Sequence, residues 1–519
     1  MTGNNILRHL LIAVTALLFL PGSFRNAQAQ SFEEYERRVQ SEFDKYKSDK
    51  EREFKEYRDR INAEFAEYMR QTWPEYESRP AEPVPDRPEP PKPVIKDPDT
   101  LPSNDPIPFD EVKPAPKPVE PPQPVVPLPK PEPQPAKPDK PATPKPDAPK
   151  PVEPVKPAKP VFTFAFYGQT CEMPLESRHR FTLRNATEKA VADGWMVLSS
   201  DEYLPVVARC LEYRDKLHLP DWGYLCLLEK MTAAFFSPSQ INEARLMQMY
   251  ILTQSGYKVR IARAGERLAL LIPSKQILYG HKYFNIDGDK YFIIDKSINA
   301  SSMQIYTHSF PKEQYLSINI SELPSLPVAA SPTRRLQSKH NANMALSVSV
   351  NKNLMDFCND YIVTDYWNIY ADASLSDYAK EQLYPVLRES IAGIDKAAAA
   401  NRLLHFVQTA FEYATDDEQF GYERPLFADE TLYYPYSDCE DRAILYSVLV
   451  RELLGLEVVL LHYPNHLATA VCFDTEVSGD YMMIDGKRYM VCDPTYINAD
   501  IGQAMPQFKR TAAKVVKTK

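Results

Sequence analysis

The chain has 519 residues with 61 Lys and Arg against 70 Asp and Glu, a net charge of −9. No basic face is on offer, so nucleic-acid binding is excluded as a reading. Pro occurs 48 times against 15 Gly, and residues 83–160 hold 30 of the Pro, where missing amide donors forbid a packed core. Only the remainder after Pro160 is left to bury a sizeable apolar interior.

In chain order, the first element is a targeting segment over residues 1–29. Arg8 and His9 precede the apolar run Leu10–Leu20, Pro21-Gly22 breaks it, and Ala27-Gln-Ala29 offers a small-residue cleavage site. The reading is a cleaved signal peptide and an exported protein, periplasmic or secreted, with an uncleaved anchor as the rival. No Cys follows the run, which argues against a lipid anchor. The seven Cys are an odd number at irregular spacing with no CxxC, so a zinc site is not expected and at least one thiol is left over.

Residues 30–79 read as a helical rod. Phe32, Phe43, Phe54 and Phe65 recur every eleven residues, as do Tyr35, Tyr46, Tyr57 and Tyr68. Val39 and Ile61 share a third position with Lys50 and Thr72. Eleven residues over three turns keep this stripe nearly in line along a helix, so the rod, residues 31–73, is expected to self-associate or to dock a partner through it. Pro74 stops it. Residues 80–160 read as a disordered Pro-rich linker of polyproline character.

The rest contains a repeat. Tyr283-Phe-Asn-Ile-Asp-Gly-Asp-Lys-Tyr-Phe-Ile-Ile-Asp295 matches Tyr481-Met-Met-Ile-Asp-Gly-Lys-Arg-Tyr-Met-Val-Cys-Asp493 without a gap. Each reads as a β-hairpin about an Asp-Gly turn, preceded by a helix ending in Gly256 or Gly455 and by apolar strands. Two copies of one α+β domain follow, 161–335 and 336–519.

The second copy carries the chemistry. Asp438 caps a helix that Cys439 opens, with Ala443, Leu445, Val448, Leu449 and Leu453 on its apolar face. A helix N-terminus favours a thiolate, but Asp438, Glu440 and Asp441 oppose it, so a His partner is needed. His466 follows 27 residues later and Asp493 another 27. A nucleophile, a base and an orienting carboxylate on three neighbouring elements follow the logic of the Ser-His-Asp triad. The three acidic neighbours read as capping or solvated residues rather than calcium ligands. For the oxyanion, the Cys439 amide, Gln408, Tyr433 and Tyr434 are the candidate donors. No cofactor and no metal is called for.

Asp438-Cys439-Glu-Asp441, then Asn465-His466-Leu-Ala, then Cys492-Asp493-Pro-Thr-Tyr496 resemble the bacterial transglutaminase-like superfamily. Phe406–Tyr413, Glu430–Leu432 and Ile501-Gly502 fit its flanking segments. The resemblance implies two tandem papain-like domains and a Cys439-His466-Asp493 triad, with Cys439 the nucleophile, His466 the general base and acid, and Asp493 its orienter. It implies a thiol protease or amidase acting on a protein or peptide, or a crosslinking acyl transferase; a non-catalytic scaffold is the rival from another class. Ser437 departs from the Gly that family members often carry. The first copy has Gln240, Ile241 or Asn242 opposite Cys439 and Arg267 or Leu268 opposite His466, with Asp295 alone retained, so it reads as degenerate and non-catalytic.

Overall fold

A computed structural model describes residues 23–84, 93–111, 162–364 and 366–519. Most of the targeting segment and most of the Pro-rich stretch lie outside the described residues. The chain divides into two units, residues 1–64 and 65–519. The helix Ser23–Met69 makes up the described part of the first and runs into the second. Its Glu, Lys, Arg and Asp are strong helix formers, and the last turn stops ahead of Pro74. None of the described helices is long and apolar enough to cross a membrane.

The second unit is an α+β structure built around two six-stranded sheets. The first runs, edge to edge, Glu75–Glu77, Ser302–Tyr306, Arg260–Ala264, Arg267–Ser274, Asp289–Ile293, Tyr283–Ile286, all antiparallel. The second runs Phe109–Glu111, Ala513–Lys517, Glu457–Tyr463, His466–Cys472, Lys487–Cys492, Tyr481–Ile484. Strand for strand the order is the same. Both Asp-Gly turns have two consecutive positive φ angles, 50° and 86° at Asp287-Gly288 and 49° and 76° at Asp485-Gly486, the backbone that a two-residue hairpin needs. Each sheet also follows a helix, Ile241–Gln254 or Cys439–Leu454, that packs against its central strand. The internal repeat read from the hairpins therefore extends to whole sheets.

The copies do not stand apart. One apolar core runs through both helices, both sheets and the helices Asp221–Phe235 and Lys396–Ala410. Across the expected boundary, Tyr167 Oη donates to Asp360 at 2.7 Å, Trp222 Nε1 donates to the Asp360 carbonyl at 3.2 Å, and the rings of Tyr167 and Phe357 meet edge-on.

The Pro-rich stretch departs from a plain spacer. Val94–Ile95 pairs in parallel with Tyr496–Ile497, Ile107 N–H donates to the Tyr481 carbonyl at 2.9 Å, and Phe109–Glu111 adds to the second sheet. Val94, Ile95, Ile107 and Phe109 keep their amide donors between the prolines, so local strand pairing is open to them. With Glu75–Glu77 on the first sheet, the segment between rod and repeat covers one edge of each sheet, where unpaired backbone would otherwise invite other chains.

Candidate active site

The helix Cys439–Leu454 begins at Asp438, whose N–H donates to the Asp441 carboxylate at 3.3 Å, and ends at Gly455 with φ 64°. A 16-residue helix rises about 24 Å, and the seven-residue strand Glu457–Tyr463 that packs back along it spans about 23 Å. The turn at Pro464-Asn465 therefore comes level with the helix start, and His466 opens the next strand at the same end as Cys439.

His466 and Asp493 meet. Nε2 of His466 lies 2.8 Å from Asp493 Oδ2, and Asp493 Oδ1 accepts the Thr495 N–H at 2.9 Å. The imidazole stacks on Phe508, centroids 4.8 Å apart and 7° from parallel, which screens the pair from water. Nδ1 of His466 is buried without a hydrogen-bond partner. With the carboxylate taking the Nε2 proton, Nδ1 keeps the lone pair of a base. Cys439 is fully buried, and its Sγ donates to Glu440 Oε2 at 3.0 Å.

The acidic neighbours of Cys439 are buried, not solvated as the sequence suggests: Asp438, Glu440, Asp441 and Asp416 are all inside, with Glu423 half-buried beside them. Burial, then Asp441 and Glu440, push the Asp416 carboxyl up to about 10. Burial and Glu440 push Asp441 up to about 8, and burial with Glu440 and Asp441 raises Asp438 far above the ordinary carboxylate range. Oxygens of Asp416, Asp438 and Asp441 lie within 4.8 Å of one another, as do those of Asp416, Glu423 and Glu440. These are the residues whose hard oxygens could hold a divalent cation. Arg442 is a buried cation in the first turns of the same helix. It donates to Ser437 Oγ at 3.2 Å and to the carbonyls of Gln408 and Phe411 at 3.4 and 2.9 Å, and burial pulls it down to about 10. Ser437 is thus an acceptor for Arg442.

Two of the side-chain oxyanion candidates are engaged elsewhere. Gln408 donates to the carbonyls of Asp493 and Ala499 at 3.2 and 3.0 Å and accepts the Asn498 N–H at 3.1 Å, so its amide braces the Asp493 loop. Tyr434 Oη donates to Asn359 Oδ1 at 3.0 Å.

Set against protein-family models, curated proteins and solved structures, the chain matches none.

The same locus of the first sheet is filled by an ion-pair cluster. Arg267 follows its two-residue turn as His466 does, and lies opposite Ala264 as His466 lies opposite Tyr463. Its guanidinium sits 3.1 Å from Asp295 Oδ2, and Arg245 reaches the same oxygen at 3.2 Å. Against the upward push of burial, the Ser297 hydroxyl and amide with Arg245 hold Asp295 down to about 2. The helix start has Gln240, which donates to the Phe181 carbonyl at 3.3 Å. Neither a thiol nor an imidazole is present at these positions. Phe508 and Arg442 were not singled out from sequence: a lone Phe in a polar loop and an Arg on a helix carry no pattern that marks them.

Proposed function

We propose that this chain is an exported thiol enzyme of the transglutaminase-like kind, acting on an amide bond of a protein or peptide, with hydrolysis as the outcome. The observation that carries the reading is the His466–Asp493 pair, buried and stacked, with Nδ1 left unpartnered at the end of the sheet level with Cys439. In the reaction Nδ1 takes the Cys439 proton and the thiolate attacks the carbonyl carbon. The tetrahedral oxyanion collapses, the C–N bond breaks, and the imidazolium returns its proton to the leaving amine. A water, deprotonated by His466, then attacks the thioester and frees the acid and the thiol. Asp493 holds the ring in the tautomer this needs and stabilises the imidazolium. The two sheets with one strand order support tandem copies of one papain-like domain, the first non-catalytic because Arg267 stands for the base.

The test is site-resolved alkylation of the chain beginning at Gln30 with iodoacetamide from pH 5 to 9. Cys439 is expected to label below pH 7 in the wild type and to lose that low-pH labelling in His466→Ala. Labelling that rises only toward the free-thiol pKa of about 8.5, alike in both proteins, would overturn the reading in favour of a scaffold.

A further inference from the structure

The rod presents the same three-position stripe in each eleven-residue repeat, and the repeats meet different fates. In the last one Phe65 is 4% exposed, its ring 4.8 Å from Trp195, 4.9 Å from Tyr306 and 5.2 Å from Phe310. In the second repeat the corresponding Phe43 is 59% exposed and Tyr46 is 62% exposed. Tyr35, Val39 and Tyr57, on the same stripe, are exposed as well. A Phe held bare in water forgoes roughly 1.5–3 kcal/mol of burial free energy, and this helix leaves Phe43 exposed together with the stripe residues Tyr35, Val39, Tyr46 and Tyr57. Phe65 shows what the position does when something covers it.

The polar flanks need no partner. Lys50 pairs with Glu53 at 2.7 Å, Arg52 with Asp49 at 2.8 Å and Lys55 with Asp59 at 2.9 Å, all within the one helix. The recognition element is the stripe alone. Its geometry defines its occupant: eleven residues are about 16.5 Å of helix, and the direction drifts only about 20° per repeat. A covering surface must therefore offer apolar groups every 16.5 Å or so in a nearly straight line, and this chain's own rod does so.

We infer that the apolar stripe exposed at Tyr35, Val39, Phe43, Tyr46 and Tyr57 is a self-association surface whose occupant is the rod of a second copy of this chain, the two helices winding with the right-handed supercoil of an eleven-residue repeat. Covering the half-exposed Tyr35, Val39, Phe43, Tyr46 and Tyr57 removes roughly 500 Å² per copy and about 1,000 Å² per pair, the lower bound for a specific interface. The pair is accordingly modest in affinity and sensitive to single side chains. Lys50 interrupts the third stripe position between Val39 and Ile61. A polar group in such a seam limits stability while setting register. The inference stands independently of the enzymatic reading, since it uses none of Cys439, His466 and Asp493.

Analytical ultracentrifugation of the chain beginning at Gln30, over a concentration series, tests it. The wild type is expected to move from monomer to dimer. Phe43→Ser and Tyr46→Ser are each expected to weaken association by roughly 30-fold, as truncating an aromatic anchor does. Circular dichroism checks that the helix persists in both. Lys50→Leu completes the stripe and is expected to tighten association by roughly 10-fold, a gain that no folding defect produces. A wild type that stays monomeric throughout, or association indifferent to all three substitutions, would overturn the inference.

Discussion

The carboxyls around Cys439 make stability depend on pH in a direction opposite to that of most proteins. Asp416, held at about 10, and Asp438, raised well above its ordinary value, keep their protons through neutral pH, while Asp441, at about 8, keeps most of its proton at pH 7. In the unfolded chain all three ionise near 4. The folded state therefore binds more protons, and stability falls as pH rises. Each retained proton contributes a slope of about 1.4 kcal/mol per pH unit, so with two fully retained and a third partly retained the loss between pH 7 and 8 is about 3–4 kcal/mol, a large share of a typical 5–15 kcal/mol. The window avoids His281 and His405, whose imidazoles burial holds below the ordinary value and which are neutral in both states above it. Unfolded thiols, with a pKa of about 8.5, begin to ionise at the top of this window and add to the fall equally in wild type and variant, so the difference between the two isolates the carboxyl. The assay is urea unfolding at pH 7, 7.5 and 8 in EDTA, with Asp416→Asn alongside. Asn keeps an oxygen to accept the Arg424 N–H and removes the proton, so its slope is expected to be shallower by about 1.4 kcal/mol per unit. A wild-type stability that is flat or rises across this window would refute the reasoning.

Two further substitutions test how the second sheet is held. Gly479, at φ 134°, faces Gly502 so closely that an added Cβ would sit 2.4 Å from the Gly502 oxygen. Gly479→Ala is expected to cost more than about 2 kcal/mol in urea unfolding, and a cost under 0.5 would show that the two loops part freely. Asp480 is fully buried and takes the N–H of Ser103 at 2.6 Å, the N–H of Ala504 at 2.9 Å and Lys509 at 3.2 Å. Asp480→Ala strands both backbone donors and removes the counter-ion of Lys509, and is expected to cost about 3–5 kcal/mol and to expose residues 93–111 to limited proteolysis. An unchanged cleavage pattern would mean that the arm is held by its strand pairing alone.

Much of the fold was legible because it is local. The eleven-residue stripe specifies a helix by its own period, and the Asp-Gly pairs specify hairpins by their tolerance of positive φ, so rod and repeat need no long-range knowledge. Likewise, the triad candidates Cys439, His466 and Asp493 stood out by order and spacing. The Pro-rich arm misled for a physical reason: composition describes the average residue, while Val94, Ile95, Ile107 and Phe109 are the exceptions that pair. The acidic residues after Cys439 misled similarly. A helix N-terminus is an ordinary place for exposed carboxylates, and nothing within the helix itself says that the loop carrying Asp416 and Arg424 closes over it.

Sequence by itself thus determined what depends on neighbours along the chain: helix period, turn chemistry, the doubled hairpin and the candidate nucleophile, base and carboxylate. Tertiary structure alone decided which residues share a space. It set Asp493 on His466 and Phe508 over the ring, spent Gln408 on two carbonyls, gathered carboxylates from distant segments around Cys439, and put Arg267 on Asp295 where the other half has an imidazole. Those outcomes turn on distances of 3 to 5 Å between residues tens of positions apart. Such distances follow from how sheets and helices stack around a common core, which no local pattern encodes.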